Sequence, residues 1–306
     1  MSNKTLSIII PTIGRCVLDK TIESVLNQSV MPYEIVIWDN SGERLAYNQS
    51  KYKDDPRLKW RMSDEKKDII TSWICAVDCA AGEYVYLLGD DDLLLPGFVD
   101  KVLQKLNNGA ELIHVPVQMI DPEDNIVDAE KIGFQNDCEI SESEFYAHYL
   151  NENFNIFLGS IVFSRIGYEK IGRYKNIVMY GLYMDILFNF EMIHLYGKIT
   201  VLSQPVWQYR TFVSDWSGKL KSKDEIPELI NQYFALLKYL KKMETAQNKI
   251  YLRKYERKNI FCTISATLYK YEKWQAWKLI FYKDFTLVER YYVLRDLFYL
   301  MRHDSH

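Results

Sequence analysis

Hydrophobic residues between positions 6 and 117 follow two alternating patterns. Continuous apolar runs such as residues 6–10 are typical of buried parallel strands, whereas apolar residues at helical spacing, as in residues 17–29, predict amphipathic helices. The other predicted strands are residues 33–38, 58–62, 83–88 and 111–117, and the other predicted helices are residues 67–81 and 96–106. This alternation predicts an α/β fold with a mainly parallel sheet flanked by helices.

The alternation ends near Asp121, and the rest of the chain follows a different pattern. It predicts helices at residues 141–150 and 183–195, short strands at residues 160–163, 199–202 and 206–209, and almost only helix after residue 226. The polar segment 214–227 contains Gly and Pro and predicts a boundary. We therefore expect one domain at residues 1–218, with halves of about 1–118 and 119–218, and a helical C-terminal region at residues 219–306.

Composition limits the classes of function. The chain has 306 residues, of which 48% are hydrophobic and 26% charged, so it can bury a sizeable core. Its net charge of -3 argues against a nucleic-acid partner. The five cysteines form no disulfide framework, which predicts a reducing compartment. Because neither a signal peptide nor a membrane-spanning run is visible, we expect a cytoplasmic protein, either free or peripheral on the cytoplasmic membrane face.

Polar clusters follow three of the predicted strands. They are Pro11 and Thr12 with Arg15, then Asp39 and Asn40, and then three consecutive aspartates, Asp90, Asp91 and Asp92. Ligands of open α/β sheets bind outside the carboxyl ends of the strands, so these clusters are expected to meet at one edge. Adjacent carboxylates repel one another, and Mg²⁺ or Mn²⁺ would neutralise them while binding the phosphates of a nucleotide. The alternative is a solvated acidic turn or a helix cap.

The segments around these clusters resemble a known family. SIIIPTIGR, EIVIWDNSG and AGEYVYLLGDDDLLLPG resemble the N-terminal half of family 2 glycosyltransferases of the GT-A fold. GSIVFSRIGYEKIGRY and YMDILFNFEMIHLYG resemble the acceptor half of that family, and the resemblance covers about residues 6–210. The GDDD form is similar to that of abequosyltransferase-like members. The resemblance implies a GT-A-like sheet flanked by helices.

The resemblance also implies nucleotide-binding residues. Pro11 and Thr12 would line the nucleotide pocket, with Arg15 nearby. Asp39 would hydrogen-bond the base, commonly uracil, and Asp90 would contact the ribose or the metal shell.

Further residues are implied for the metal and for catalysis. Asp91 matches the metal-ligating aspartate of the DxD motif, and Asp92 would assist it. Asp185 falls where the family places its general base, although an exposed helix carboxylate is the alternative from the residues alone. Arg210 is a candidate for the diphosphate, with a structural salt bridge as the alternative. The family often has Asp where this chain has Gly89.

The function implied by the resemblance is transfer of a sugar with inversion from a nucleotide-diphosphate donor, a UDP-sugar, with Mn²⁺ or Mg²⁺ as cofactor. The acceptor would be a glycan or lipid-linked glycan of a cell-surface polysaccharide. Two alternatives are a nucleotidyltransferase and a non-catalytic scaffold of the same fold. The first would carry a Gly-rich phosphate loop after the first strand, where this chain has only PTIGR. The second is disfavoured because Asp39, Asp91 and Asp185 are all present.

The C-terminal region is basic and rich in aromatic residues, in contrast to the acidic residues before it. The first interpretation is a helical subdomain that packs on the sheet or forms a homo-oligomer. The second is a peripheral contact with anionic lipid, because basic amphipathic helices with aromatic residues bind membrane surfaces.

Overall fold

The computed structural model describes residues 3–130, 132–151, 153–174, 183–211, 226–245, 249–256, 281 and 287–303. The strands are β1 (Leu6–Thr12), β2 (Glu34–Asp39), β3 (Leu58–Met62), β4 (Tyr84–Leu87), β5 (Leu93–Leu94), β6 (Leu112–His114), β7 (Val117–Ile120), β8 (Ile126–Ala129), β9 (Cys138–Ser141), β10 (Ile161–Ser164), β11 (Lys198–Val201) and β12 (Trp207–Arg210). The helices are α1 (Leu18–Leu26), α2 (Leu45–Gln49), α3 (Ile69–Asp78), α4 (Phe98–Asn107), α5 (Glu142–Leu150), α6 (Arg165–Lys170), α7 (Met184–Tyr196), α8 (Ile226–Lys242), α9 (Lys249–Glu256) and α10 (Leu287–His303).

The main sheet has eight strands in the order β3-β2-β1-β4-β10-β6-β11-β9, and a second sheet has the order β5-β12-β7-β8. Strands β3, β2, β1 and β4 are parallel, whereas β10 is antiparallel to both of its neighbours. Strands β2 and β4 are buried along their whole length, as expected for strands covered on both faces. The α/β fold with a mostly parallel sheet flanked by helices is therefore confirmed.

The single strand predicted over residues 111–117 is wrong. The structure has β6 in the main sheet and β7 in the second sheet, with Val115 and Pro116 between them. Proline has no backbone N–H to donate to a strand ladder, so a continuous strand is interrupted there.

The strand directions define two edges of the main sheet. β1, β2 and β4 end at the same edge, which we name the carboxyl edge. Because β10 runs antiparallel to β4, its last residue Ser164 lies beside Tyr84 at the opposite edge. The hydroxyl of Tyr196, at the end of α7, is 2.5 Å from that of Ser164. α7 therefore ends at the opposite edge.

The described residues divide into two compact units. The first contains both sheets with their helices, and the second contains Tyr146–Asn151 together with α8, α9 and α10. Within the second unit, the hydroxyl of Tyr146 donates to the carbonyl of Leu240 at 2.7 Å, and Tyr149 and Tyr255 share a hydrogen bond of 2.7 Å. The boundary predicted at residue 218 lies outside the described residues. No described helix is long and apolar enough to cross a membrane.

Helix α3 has a side-chain cap that provides a test of local stability. Asp68 accepts hydrogen bonds from Ile70 N at 3.1 Å and Thr71 N at 3.0 Å. We expect Asp68→Ala to lower the free energy of unfolding by about 1 kcal/mol, as measured by urea denaturation at pH 7. Hydrogen bonds from Thr71 lower the pKa of Asp68, so this stabilisation is present above the unfolded-state pKa and is lost as pH falls through the folded-state pKa.

The exposed Asp64 is the matched control for this experiment, because it precedes the helix and caps nothing in the described contacts. Asp64→Ala should leave the unfolding curve at its wild-type position. An equal loss of stability in both variants would show that Asp68 does not stabilise α3 as a cap.

Candidate active site

Asp90 joins the ends of β1 and β4 at the carboxyl edge. Its Oδ2 accepts hydrogen bonds from Thr12 Oγ1 at 2.6 Å and Ile13 N at 3.3 Å. Its Oδ1 accepts from Arg15 Nη1 at 2.6 Å. Gly14, directly before Arg15, has φ +84°, a left-handed conformation that favours glycine. The segment after β1 is thus wrapped around one buried carboxylate.

Asp91 is held on both its side chain and its backbone. The Nη1 atom of Arg15 that contacts Asp90 also lies 2.8 Å from Asp91 Oδ2. The backbone carbonyl of Asp91 accepts from Arg210 Nε at 2.8 Å. One guanidinium nitrogen therefore bridges two adjacent carboxylates, while a second arginine fixes the chain that carries them.

Asp92 is buried, as are Asp90 and Asp91, and we name these three aspartates the acidic cluster. Its Oδ1 accepts from the backbone N of Arg210 at 3.0 Å. Burial, and then the charge of Asp91, raise the pKa of Asp92 well above its usual range. The fully buried hydroxyl of Tyr86 has no hydrogen-bond partner among the described residues, and burial followed by the charge of Asp92 raises its pKa. Burial and the neighbouring negative charge therefore favour the neutral form of Asp92.

Gly89 lies directly against the acidic cluster. A Cβ atom at this position would lie 2.6 Å from Asp92 Oδ2 and 3.1 Å from Asp91 Oδ1. An aspartate at position 89 would therefore require these carboxylates to move. Two carboxylate oxygens thus lie close together beside Gly89, and hard cations prefer such oxygen ligands. They are only part of a donor set, so a cation held here would take its other ligands from substrate phosphates.

Among the described residues, no three Asp, Glu, His or Cys side chains lie close enough together to hold a metal by themselves.

Asp39 lies at the same edge, at the end of β2. Its Oδ1 accepts from the backbone N of Ser41 at 2.9 Å and from the Ser41 hydroxyl, and its Oδ2 accepts from Tyr47 N at 3.0 Å. Through these hydrogen bonds, Asp39 stabilises the loop between β2 and α2. Its neighbour Asn40 exchanges two hydrogen bonds with the backbone of Lys67, at 2.9 and 3.0 Å. The contact of Asp39 with a base stays a prediction.

Arg210 points into the protein from the end of β12 and is 1% exposed. Its Nη1 donates to the carbonyls of Asp121 and Pro122, both at 3.2 Å, and forms an ion pair with Asp124. Its Nη2 is buried without a hydrogen-bond partner among the described residues. The described contacts agree with the structural salt bridge that was one of the two predicted alternatives, and binding of the diphosphate by Arg210 stays a prediction.

Asp185 lies in the first turn of α7, at the end of the helix away from Tyr196, and its role as general base stays a prediction. Its Oδ1 accepts from Ile186 N at 2.8 Å. Burial raises the pKa of this carboxyl to about 7, although backbone hydrogen bonds from Ile186 N and its own N act in the opposite direction. A carboxyl group with this pKa can accept a proton near neutral pH.

The sequence did not predict the part played by the turn after β7. Asp124 has φ +72° and forms ion pairs with Arg210 and with Lys20, the latter at 2.5 Å. The Asp-Pro pair within DPEDN is a turn signal, so the turn itself was detectable. Its pairing with Arg210 was not, because that pairing depends on the second sheet.

A cavity of about 450 Å³ lies elsewhere on the first unit, lined in part by Asp78, Arg165 and Arg173. Arg165 N donates to the carbonyl of Glu83, just before β4, which places the cavity at the edge opposite the acidic cluster. It therefore does not belong to the candidate active site.

Comparison with known proteins assigns the class. The family model described as glycosyl transferase family 2 matches residues 7–164, and the chain belongs to this family. The protein is therefore a glycosyltransferase. One curated relative is GalNAc(5)-diNAcBac-PP-undecaprenol beta-1,3-glucosyltransferase of Campylobacter jejuni, which is 29% identical over 81% of this chain and 76% of its own length. Another is an uncharacterized glycosyltransferase, YwdF, of Bacillus subtilis, which is 27% identical over 38% of this chain and 42% of its own length.

Solved structures show the same fold at low sequence identity. The crystal structure of S. aureus TarS 1-349 in complex with UDP-GlcNAc is similar with a TM-score of 0.62 and 13% identity, and the match covers 95% of this chain and 79% of that chain. The crystal structure of S. aureus TarS 1-349 is similar with a TM-score of 0.59 and 13% identity, covering 96% and 80%. These likenesses confirm the predicted GT-A-like fold.

Proposed function

We propose that this glycosyltransferase moves a sugar with inversion from a UDP-sugar to a lipid-linked glycan, and that it requires Mn²⁺ or Mg²⁺. The observation that supports this most is the meeting of the segment after β1 with the acidic cluster at the carboxyl edge. Open α/β sheets bind nucleotides at this edge.

The donor end of the proposed site uses residues from β1, β2 and the acidic cluster. Pro11 and Thr12 would line the nucleotide pocket, and Asp39 would orient the base. Arg15, whose side chain is 40% exposed, would reach the diphosphate, because guanidinium groups bind phosphate oxygens well. A divalent cation bound with Asp91 and Asp92 would stabilise the negative charge that develops on the departing diphosphate.

Asp185 would act as the general base. In the proposed step the acceptor oxygen bonds to the anomeric carbon, the bond from that carbon to the diphosphate oxygen breaks with its electrons, and the acceptor proton passes to Asp185. A single displacement inverts the anomeric carbon, and the beta linkage in the name of the Campylobacter jejuni relative agrees with inversion of an α-linked donor. The pKa of Asp185, about 7, suits proton removal near neutral pH.

The acceptor proposal draws on the same relative, whose name describes an undecaprenol-linked glycan. A lipid-linked acceptor would bring the enzyme to the cytoplasmic membrane face. The basic C-terminal region would then assist by attraction to anionic lipids, with homo-oligomer contacts through its helices as the alternative.

Metal removal tests the proposed function. We expect EDTA to lower turnover of a UDP-sugar at least about 100-fold, because charge on the leaving diphosphate would lose its stabilisation. Product UDP can be followed by chromatography, and excess Mn²⁺ or Mg²⁺ should restore the rate. A panel of nucleotide sugars then identifies the donor. Turnover that is unchanged in EDTA would contradict the metal requirement.

A further inference from the structure

Arg15 contacts the two carboxylates in a way that resembles the action of a bound cation. One atom, Nη1, lies 2.6 Å from Asp90 Oδ1 and 2.8 Å from Asp91 Oδ2. The guanidinium therefore supplies positive charge between carboxylates that would otherwise repel one another. It brings one positive charge to two carboxyl groups, whereas a divalent cation brings two.

Arg15 is also placed so that it can leave. Its side chain is 40% exposed, whereas those of Asp90 and Asp91 are 4% and 11% exposed. The other oxygen of Asp90 is held by Thr12 Oγ1 and Ile13 N, so the segment after β1 keeps its anchor when Arg15 moves. Movement of the exposed Arg15 side chain therefore leaves the contacts between the segment after β1 and Asp90 in place.

We propose that Arg15 competes with the divalent cation for Asp91, and turns to the diphosphate when the nucleotide binds. This inference rests on the proposed metal-dependent function. It has a thermodynamic consequence: the nucleotide removes the competitor, so nucleotide and cation each tighten the binding of the other by the same factor. The cation alone binds weakly because it must displace a well-placed guanidinium.

The test measures cation affinity without relying on catalysis. Binding of Mn²⁺ is followed by electron paramagnetic resonance, with MnCl₂ alone and with saturating UDP, for wild type and Arg15→Gln. We expect Arg15→Gln to bind Mn²⁺ alone at least about 5-fold more tightly than wild type, within the usual range of coupling factors. UDP should tighten Mn²⁺ binding strongly in wild type and much less in the variant.

Two further variants control for the loss of an arginine. Arg15→Lys keeps the charge and should stay closer to wild type than Arg15→Gln. Arg57→Gln removes another guanidinium that pairs with a carboxylate, that of Asp55 at 2.6 Å, at a site remote from the acidic cluster. It should bind Mn²⁺ as wild type does. Circular dichroism verifies that each variant is folded.

Equal or weaker binding of Mn²⁺ by folded Arg15→Gln would overturn the inference. If EDTA still abolishes turnover in that case, the metal requirement stands and only the competition by Arg15 fails. If wild type and Arg15→Gln both fail to bind Mn²⁺ with UDP present, and EDTA has no effect, the inference and the metal requirement fail together.

Discussion

Asp185→Asn is expected to lower kcat about 10²–10⁴-fold, the usual contribution of a general base. Asparagine keeps the size of the side chain but cannot accept the acceptor proton. Because Asp185 is not among the residues proposed to bind the nucleotide, the affinity for UDP should stay near the wild-type value. Steady-state kinetics and calorimetric titration with UDP measure the two quantities separately.

The pH dependence of kcat is a second test of Asp185 as the general base. Burial raises the pKa of Asp185 to about 7, and only its ionised form can accept a proton. Wild-type kcat should therefore rise about tenfold per pH unit below pH 7 and become constant above it, whenever chemistry limits the rate. The residual activity of Asp185→Asn should lack this acidic limb.

The stability of Asp185→Asn should increase at the pH values where its kcat is lower than that of wild type. A carboxyl group whose pKa is raised by folding favours the folded state at low pH, and that stabilisation is lost as pH rises from about 4 to about 7. Removing the charge should therefore raise the melting temperature of Asp185→Asn at pH 8 and leave it nearly unchanged at pH 4. Glu191→Gln, in the same helix, is the control and should keep wild-type kcat. A wild-type rate in Asp185→Asn would exclude the general base.

The edge at which the candidate site forms could be predicted because it depends on strand direction alone. Apolar runs followed by polar residues indicated the ends of β1, β2 and β4, and parallel strands end at one edge. In the structure, Thr12 and Arg15 after β1 contact Asp90 after β4, as expected for strand ends that meet at one edge. What these residues bind could be suggested only by resemblance, because a run of carboxylates alone also suits a solvated turn.

The environment of Arg210 could not be predicted, because it depends on the second sheet. The strands of that sheet show weak hydrophobic patterns in the sequence. β5 has only two residues and β8 is largely exposed, so neither shows a clear apolar run. β12 pairs with β5 and thereby brings the backbone of Arg210 to Asp92, far away in the sequence. The buried environment of Arg210 follows from that pairing. A diphosphate contact was therefore an equally reasonable prediction from the sequence.

Asp91→Asn should have the second large effect. Asparagine keeps the shape of the side chain and can still accept from Arg15, but it removes the negative charge that would hold a divalent cation. We expect kcat to fall about 10²–10³-fold, the usual effect of removing one group that stabilises transition-state charge. The rise in melting temperature that Mn²⁺ and UDP together give wild type by mass action should be largely lost.

The same substitution should leave the unliganded protein at least as stable as wild type near neutral pH. The charge of Asp91 is one cause, after burial, of the raised pKa of Asp92, so removing it relieves repulsion inside the acidic cluster. If Asp91→Asn loses activity but keeps its stability, the role of Asp91 is in cation binding and not in stabilising the fold. As a control, Asp54→Asn changes an exposed aspartate and should alter neither turnover nor the stability of the unliganded protein. If Asp91→Asn keeps both its turnover and its Mn²⁺-dependent melting shift, another group must hold the cation.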